Sequence, residues 1–119
     1  LDTVKTPADV KKLNIKQLEA LADEIRNRVV DVVGKNGGHL ASNLGVAELI
    51  VALYYSFDFP KDKLIFDVGH QCYAHKILSG RNEMFDTLRQ ENGLNGFPDI
   101  SESDFDAFGA GHAGSSLSA

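Results

Sequence analysis

Hydrophobic positions in the first half of the chain recur at helical spacing. Ile15, Leu18, Ala22, Ile25, Val29 and Val32 fall three, four or seven residues apart, which puts them on one face of a helix. Asn14 precedes the run and Gln17 follows it by three, the spacing of a reciprocal capping box. Gly34 and the Asn36-Gly37-Gly38 run are expected to stop the helix. A second helix is predicted from about Leu44 to Ser56, with a different pattern. Leu44, Val46, Leu49, Ile50, Val51, Leu53 and Tyr54 cover most of its circumference, so it should be buried in a large core or against another subunit. Glu48 lies within that apolar stretch and is expected to reach a rim or pair with a nearby histidine or amide, because an unpaired buried carboxylate is costly.

The rest is less regular. Residues 1–13 are polar, broken by Pro7, and read as an extended N-terminal arm. LIFDV, Leu64 to Val68, is a strand candidate, and AFGAG further on is a second. Tyr73 to Leu78 and Glu83 to Arg89 resemble short helical turns. ENGLNGFP forms a glycine-rich loop that ends at Pro98, and SESDFD reads as an acidic surface loop. Two short strands with intervening helices predict an α/β fold, an incomplete part of a parallel sheet spanning 14–119. No internal repeat or low-complexity tract is present.

Composition narrows the class. The chain has 119 residues, 43% hydrophobic and 24% charged, the balance of an ordinary globular domain. A formal charge of -5 leaves no basic excess to displace counterions from a nucleic acid. A single cysteine, Cys72, allows no intrachain disulfide. No run approaches the roughly 18 apolar residues of a membrane span, and the N-terminus lacks the order of a signal peptide. A soluble cytoplasmic protein with neither nucleic-acid nor membrane partners is the resulting expectation.

The candidate chemistry lies in three segments of one design: Gly37-Gly38-His39 leading to Ser42, Asp67-Val68-Gly69-His70-Gln71, and Gly109-Ala110-Gly111-His112-Ala113-Gly114-Ser115-Ser116. Glycine lets the backbone approach a ligand closely. A helix start offers unpaired N–H groups to an anion, and histidine or serine adds a side-chain donor. Three of the four histidines sit on such turns. The competing reading is that each simply caps a turn. A zinc site is disfavoured: no histidine pair has HxxxH spacing, and His70, Cys72 and His75 share no helix face well. No GxSxG elbow marks a serine hydrolase, and Cys72 has no evident activating base.

At these turns the sequence resembles the 1-deoxy-D-xylulose-5-phosphate synthase family of transketolase-like thiamine-diphosphate enzymes. The resemblance rests on GGHLASNLGVAELIVALYYSFDFPKDKLIFDVGHQCYAHKILSGR, LRQENGLNGFP and FGAGHAGSS, in that order, and covers roughly residues 9 to 119. It implies a transferase that condenses pyruvate with glyceraldehyde 3-phosphate and releases carbon dioxide, supplying isoprenoid and thiamine biosynthesis. The implied cofactors are thiamine diphosphate and Mg²⁺, and a homodimer is the implied assembly. The implied catalytic residue is His39, facing the reacting carbon. Ser42, His70, Gly111, His112 and Ala113 are the implied cofactor contacts, His70 at the diphosphate. Cys72, Ala74 and Ala113 depart from the family's usual residues, the last where a serine hydroxyl is common.

The same resemblance puts the GDG…N metal motif and the glutamate that activates the aminopyrimidine beyond Ala119. The chain is therefore expected to be the helix-rich N-terminal piece of a truncated diphosphate-binding domain, inactive alone. Two alternatives stay open: one subunit of a split transketolase, and a non-catalytic module that keeps the fold.

Overall fold

Four α-helices, two 3₁₀ turns and one π-helical turn make up the regular structure of residues 3–66 and 69–106, the part described in the computed structural model of the chain, apart from the side chain of His70. The first long helix starts where its capping box predicts. Gln17 N–H donates to Asn14 Oδ1 at 2.9 Å, and Asn14 N–H donates to Gln17 Oε1 at 2.9 Å. The short α1 is Pro7–Val10; this helix, α2, is Ile15–Asn36. It runs through Gly34 and ends at Gly37, whose φ of +80° lies in the region glycine adopts without strain.

Of the predicted stripe, Ala22, Ile25, Val29 and Val32 are buried and Leu18 is partly buried; Leu21, outside the predicted stripe, joins the buried face of α2. Ile15 is the exception: at 75% exposure it lies before the helix meets its partners. The next helix, α3, is Ala41–Ser56; it packs along α2, and Ala47, Ile50, Val51 and Tyr54 are among its buried residues. Each fully buried side chain of valine or isoleucine size contributes about 1.5–3 kcal/mol. α3 begins three residues before the predicted start at Leu44. Asn43, a residue that often interrupts helices, here turns its amide back onto the carbonyl of His39 at 2.7 Å, which closes the first turn.

The outer face of α3 is open: Leu49 is 58% and Tyr55 45% exposed. Glu48 sits on that open face beside Arg26, which also pairs with Asp23. The predicted rim position for Glu48 is therefore observed, with an arginine as its partner.

The segment before α2 is not an extended arm throughout. Pro7 opens a single helical turn, Asp9 accepts from the N–H groups of Lys5 and Thr6, and Val10 is fully buried. Lys11 donates to the carbonyls of Tyr54, Tyr55 and Phe57 at 3.2, 3.1 and 2.7 Å. A cation thus caps the negative end of α3, which ties the arm to the core.

Residues 63–66 belong to no regular element, 67 and 68 lie outside the described residues, and so does AFGAG; no strand occurs among the described residues. Beyond them a 3₁₀ turn, Gly69–Gln71, leads into α4, Tyr73–Lys76, and then a π-helical turn, Ile77–Arg81. A second 3₁₀ turn, Phe85–Thr87, is strapped to α2. Arg28 donates to Asn82 and Asp86, and Asn36 donates to the carbonyls of Asp86 and Leu88.

Candidate functional site

His39 sits on the turn between α2 and α3, partly buried, and both of its main-chain polar groups are held by side chains. Its N–H donates to Tyr73 Oη at 3.1 Å. Its carbonyl accepts from Asn43 Nδ2 at 2.7 Å. Asn43 Oδ1 in turn accepts from the N–H of Tyr73 at 2.9 Å. Residues from the turn, α3 and α4 therefore close one ring of three hydrogen bonds. Gly38, φ +137°, is the residue that lets Tyr73 in: a Cβ there would lie 2.6 Å from Tyr73 Oη.

The imidazole has an aromatic neighbour in Phe97, ring centroids 6.0 Å apart and tilted by 56°. Phe97 belongs to an open hollow of about 410 Å³ lined in part by Arg89, Leu94, Asn95 and Gly96. Arg89 borders both the hollow and the His39 turn, since a Cβ on Gly37 would lie 3.8 Å from its Nη1. Arg89 and Asn92 take φ of 61° and 60°, and the loop they shape is closed by Arg89 N–H donating to Leu94 O at 2.8 Å.

Of the other candidates, Ser42 lies in the first turn of α3, partly buried. His70 is carried by the 3₁₀ turn Gly69–Gln71, which packs against α3, the helix that Ser42 opens. The structure thus brings the His39, Ser42 and His70 segments to one helix. Gly111, His112 and Ala113 lie outside the described residues.

A second polar cluster was not visible in the sequence. The SESDFD segment is not a surface loop throughout, because Asp106 is 3% exposed and docks on Arg81 by two bonds, Nη2–Oδ1 2.8 Å and Nη1–Oδ2 2.9 Å. Glu102 accepts from Arg81 Nη1 at 2.7 Å and from the fully buried Lys76 at 2.6 Å. His75 Nε2 faces two acceptors, Asp106 Oδ1 at 3.0 Å and Phe105 O at 3.1 Å, so it carries the proton. Nδ1 then accepts from the Tyr54 hydroxyl at 2.6 Å. Burial holds His75 below its ordinary value despite the Asp106 carboxylate, and the ring is neutral. Burial opposes ionisation of Asp106, but the hydrogen bonds from Arg81 and His75 outweigh it and keep its pKa low. Burial also pushes the Cys72 thiol up to about 12, which agrees with the expectation that it is no nucleophile.

A family model described as 1-deoxy-D-xylulose-5-phosphate synthase matches residues 1–119. The chain belongs to that family. Relatives named 1-deoxy-D-xylulose-5-phosphate synthase include one from Chlamydia pneumoniae, 59% identical over 99% of this chain and 18% of the relative. One from Acidobacterium capsulatum is 56% identical and one from Rhodobacter capsulatus 59%, each over 100% of this chain and 19% of the relative. The chain therefore spans less than a fifth of the length of these synthases.

Among the described residues no group of three or more His, Cys, Asp or Glu is arranged to hold a metal ion. The 1-deoxy-D-xylulose-5-phosphate synthase motifs that are described contribute instead a glycine turn with a held histidine, the start of α3, and the turn that carries His70. The residues that sequence reasoning missed are Tyr73 and Asn43. Asn43 stood inside the quoted motif, and an amide at a helix start was the available signal. Nothing local in the sequence pointed Tyr73 toward His39, 34 residues away.

Proposed function

We propose that this chain is the N-terminal part of a 1-deoxy-D-xylulose-5-phosphate synthase that condenses pyruvate with glyceraldehyde 3-phosphate and releases carbon dioxide, acting as a cytoplasmic homodimer. The observation that carries the reading is the match of all 119 residues to relatives of that name. In this reading the chain is the front of a larger α/β domain, and the open apolar face of α3 is covered by further polypeptide or by the dimer mate. No helix among the described residues is long and apolar enough to cross a membrane.

The residues fit a bound cofactor at the His39 turn. Gly37 and Gly38 add no side chains of their own there, and the first N–H groups of a helix such as α3 have no intrahelical partners. Thiamine diphosphate, when bound, supplies the electron sink that lets the pyruvate carboxyl leave. His70 and Ser42 bind that cofactor's polar groups, with Gly111, His112 and Ala113 lining it, and Mg²⁺ is held by residues beyond 119.

His39 holds a substrate oxygen or passes a proton. Its near-neutral imidazole suits either role. The test uses the complete polypeptide with thiamine diphosphate and Mg²⁺. Carbon dioxide is expected from pyruvate plus glyceraldehyde 3-phosphate, and His39→Ala is expected to slow it by about 10²–10⁴-fold. Cofactor binding without any release of carbon dioxide would overturn the assignment.

A further inference from the structure

We infer that Tyr73 is a positioning residue for His39, acting with Asn43 through the His39 main chain. The inference rests on the proposed role of His39 and deepens it. A histidine side chain can be aimed from its ring or from its backbone, and here the backbone is gripped on both sides. The N–H donates to Tyr73 Oη at 3.1 Å, Asn43 Nδ2 donates to the carbonyl at 2.7 Å, and Tyr73 N–H donates to Asn43 Oδ1 at 2.9 Å. The residues before His39 cannot fix it themselves, because Gly37 and Gly38 are the most freely rotating pair a chain can use.

The anchor is itself rigid. The Tyr73 ring is fully buried and packs edge-on to Phe85, centroids 5.9 Å apart. Phe85 is covered in turn by the Arg28 guanidinium at 5.7 Å from its centroid. Tyr73 therefore transmits the position of the α2 and 85–88 scaffold to the turn that carries His39. The hydroxyl does this as an acceptor from a peptide N–H. Burial raises its pKa, so the hydroxyl stays protonated.

Gly38 belongs to the same device. The approach of Tyr73 Oη to Gly38 leaves 2.6 Å for a Cβ, whereas the ring carbons leave 3.4 and 3.5 Å. Deleting the hydroxyl alone would remove the clash and keep ordinary contact. Tyr73→Phe and Gly38→Ala should thus be coupled: the alanine does more damage beside tyrosine than beside phenylalanine.

The experiment uses the complete polypeptide with its cofactors, comparing Tyr73→Phe, Gly38→Ala, the double variant and His39→Ala. In Tyr73→Phe the His39 amide should exchange with solvent about tenfold faster, while core amides of α2 and α3 keep their protection. Its kcat should fall about tenfold, with KM for each substrate within about twofold, because an oriented group is lost without a binding contact. Gly38→Ala should lower kcat by a larger factor in the wild-type background than in Tyr73→Phe. Unchanged exchange at His39, unchanged kcat, or equal factors in the two backgrounds would each overturn the inference. His39→Ala separates the two levels. If that variant keeps full kcat, the role of His39 fails; if it loses kcat while Tyr73→Phe does not, only the positioning role of Tyr73 fails.

Discussion

Arg81 and Asp106 stand 25 residues apart and meet as a two-point ion pair inside the protein. The Arg81 side chain is 8% exposed and that of Asp106 0%. The pair is not isolated, since Ser79 accepts from Arg81 Nε, Asp99 N–H donates to Asp106, and Glu102 joins Arg81 to Lys76. Together these bonds fasten the 95–106 segment to α4 and the π-helical turn after it.

Removing Asp106 leaves Arg81 charged and buried with Glu102 as its remaining acidic partner, and strips His75 and the Asp99 N–H of an acceptor. Asp106→Ala is therefore expected to destabilise this region by about 3–5 kcal/mol. Asp104, exposed and two residues earlier, supplies the control, and its alanine variant should change stability by no more than about 0.5 kcal/mol. Thermal unfolding of the two variants beside the wild type checks this. Equal melting temperatures for Asp106→Ala and wild type would mean that the network contributes nothing net.

The buried histidine sets a separate dependence on pH. His75 is held neutral between the Tyr54 hydroxyl and the Asp106 carboxylate, with Arg81 beyond and the Phe66 ring alongside. Its folded-state pKa lies below the ordinary 6.5, with burial as the main cause. Below about pH 6.5 the unfolded chain takes up a proton that the folded chain refuses, so stability falls as pH drops through that range. Asp106 acts lower down: its depressed pKa contributes stability above 3.8 that is lost on further acidification. His75→Gln should flatten the stability profile between pH 6.5 and 5 and leave the steeper loss below pH 4. Denaturant titrations across that range decide it, and an unchanged slope above pH 5 would rule out His75 as its source.

Cys72 offers a chemical probe of the same core. It is fully buried, and its thiol is raised from 9.0 to about 12 by loss of solvent. At pH 8 the thiolate fraction is then about a thousandfold lower than for a free cysteine, before access is counted. Iodoacetamide should leave the native protein unlabelled at pH 8 and label it fully in denaturant. Rapid native labelling would show that the α4 region opens.

The legible parts of the fold were those whose signal is local. Asn14 and Gln17 are three residues apart, and their mutual bonds needed no partner from elsewhere. The buried face of α2 followed from periodicity, because a helix repeats its own geometry. The acidic 101–106 segment was misread for the opposite reason. Aspartate and glutamate at that density usually face water, and only Arg81 and Lys76, twenty or more residues away, turn two of them inward. The glycine turn at a helix start that singles out His39 and Ser42 as candidates is local, whereas the hydroxyl that holds His39 comes from α4. A motif marks a candidate residue locally, whereas the packing around it is spread over the chain.

Two glycines that look alike in the sequence should respond in opposite directions. Gly45 lies in α3 with open space where a Cβ would go. Alanine there restricts the unfolded chain and favours the helix, and should stabilise by about 0.5–1 kcal/mol. Gly93 lies in the loop after the second 3₁₀ turn, where a Cβ would run into the carbonyl oxygen of Thr87 and fall 2.7 Å from its Cβ. Thr87 cannot give way cheaply, since its carbonyl takes Gln90 N–H at 2.9 Å and its hydroxyl takes Leu94 N–H at 3.1 Å. Alanine at 93 should therefore destabilise by about 1–3 kcal/mol and loosen the wall of the hollow beside Phe97. Melting temperatures of the two single variants give the sign directly. A rise for Gly93→Ala would mean that the loop has room the structure does not show, and a fall for Gly45→Ala would mean that the outer face of α3 is already covered in the complete polypeptide.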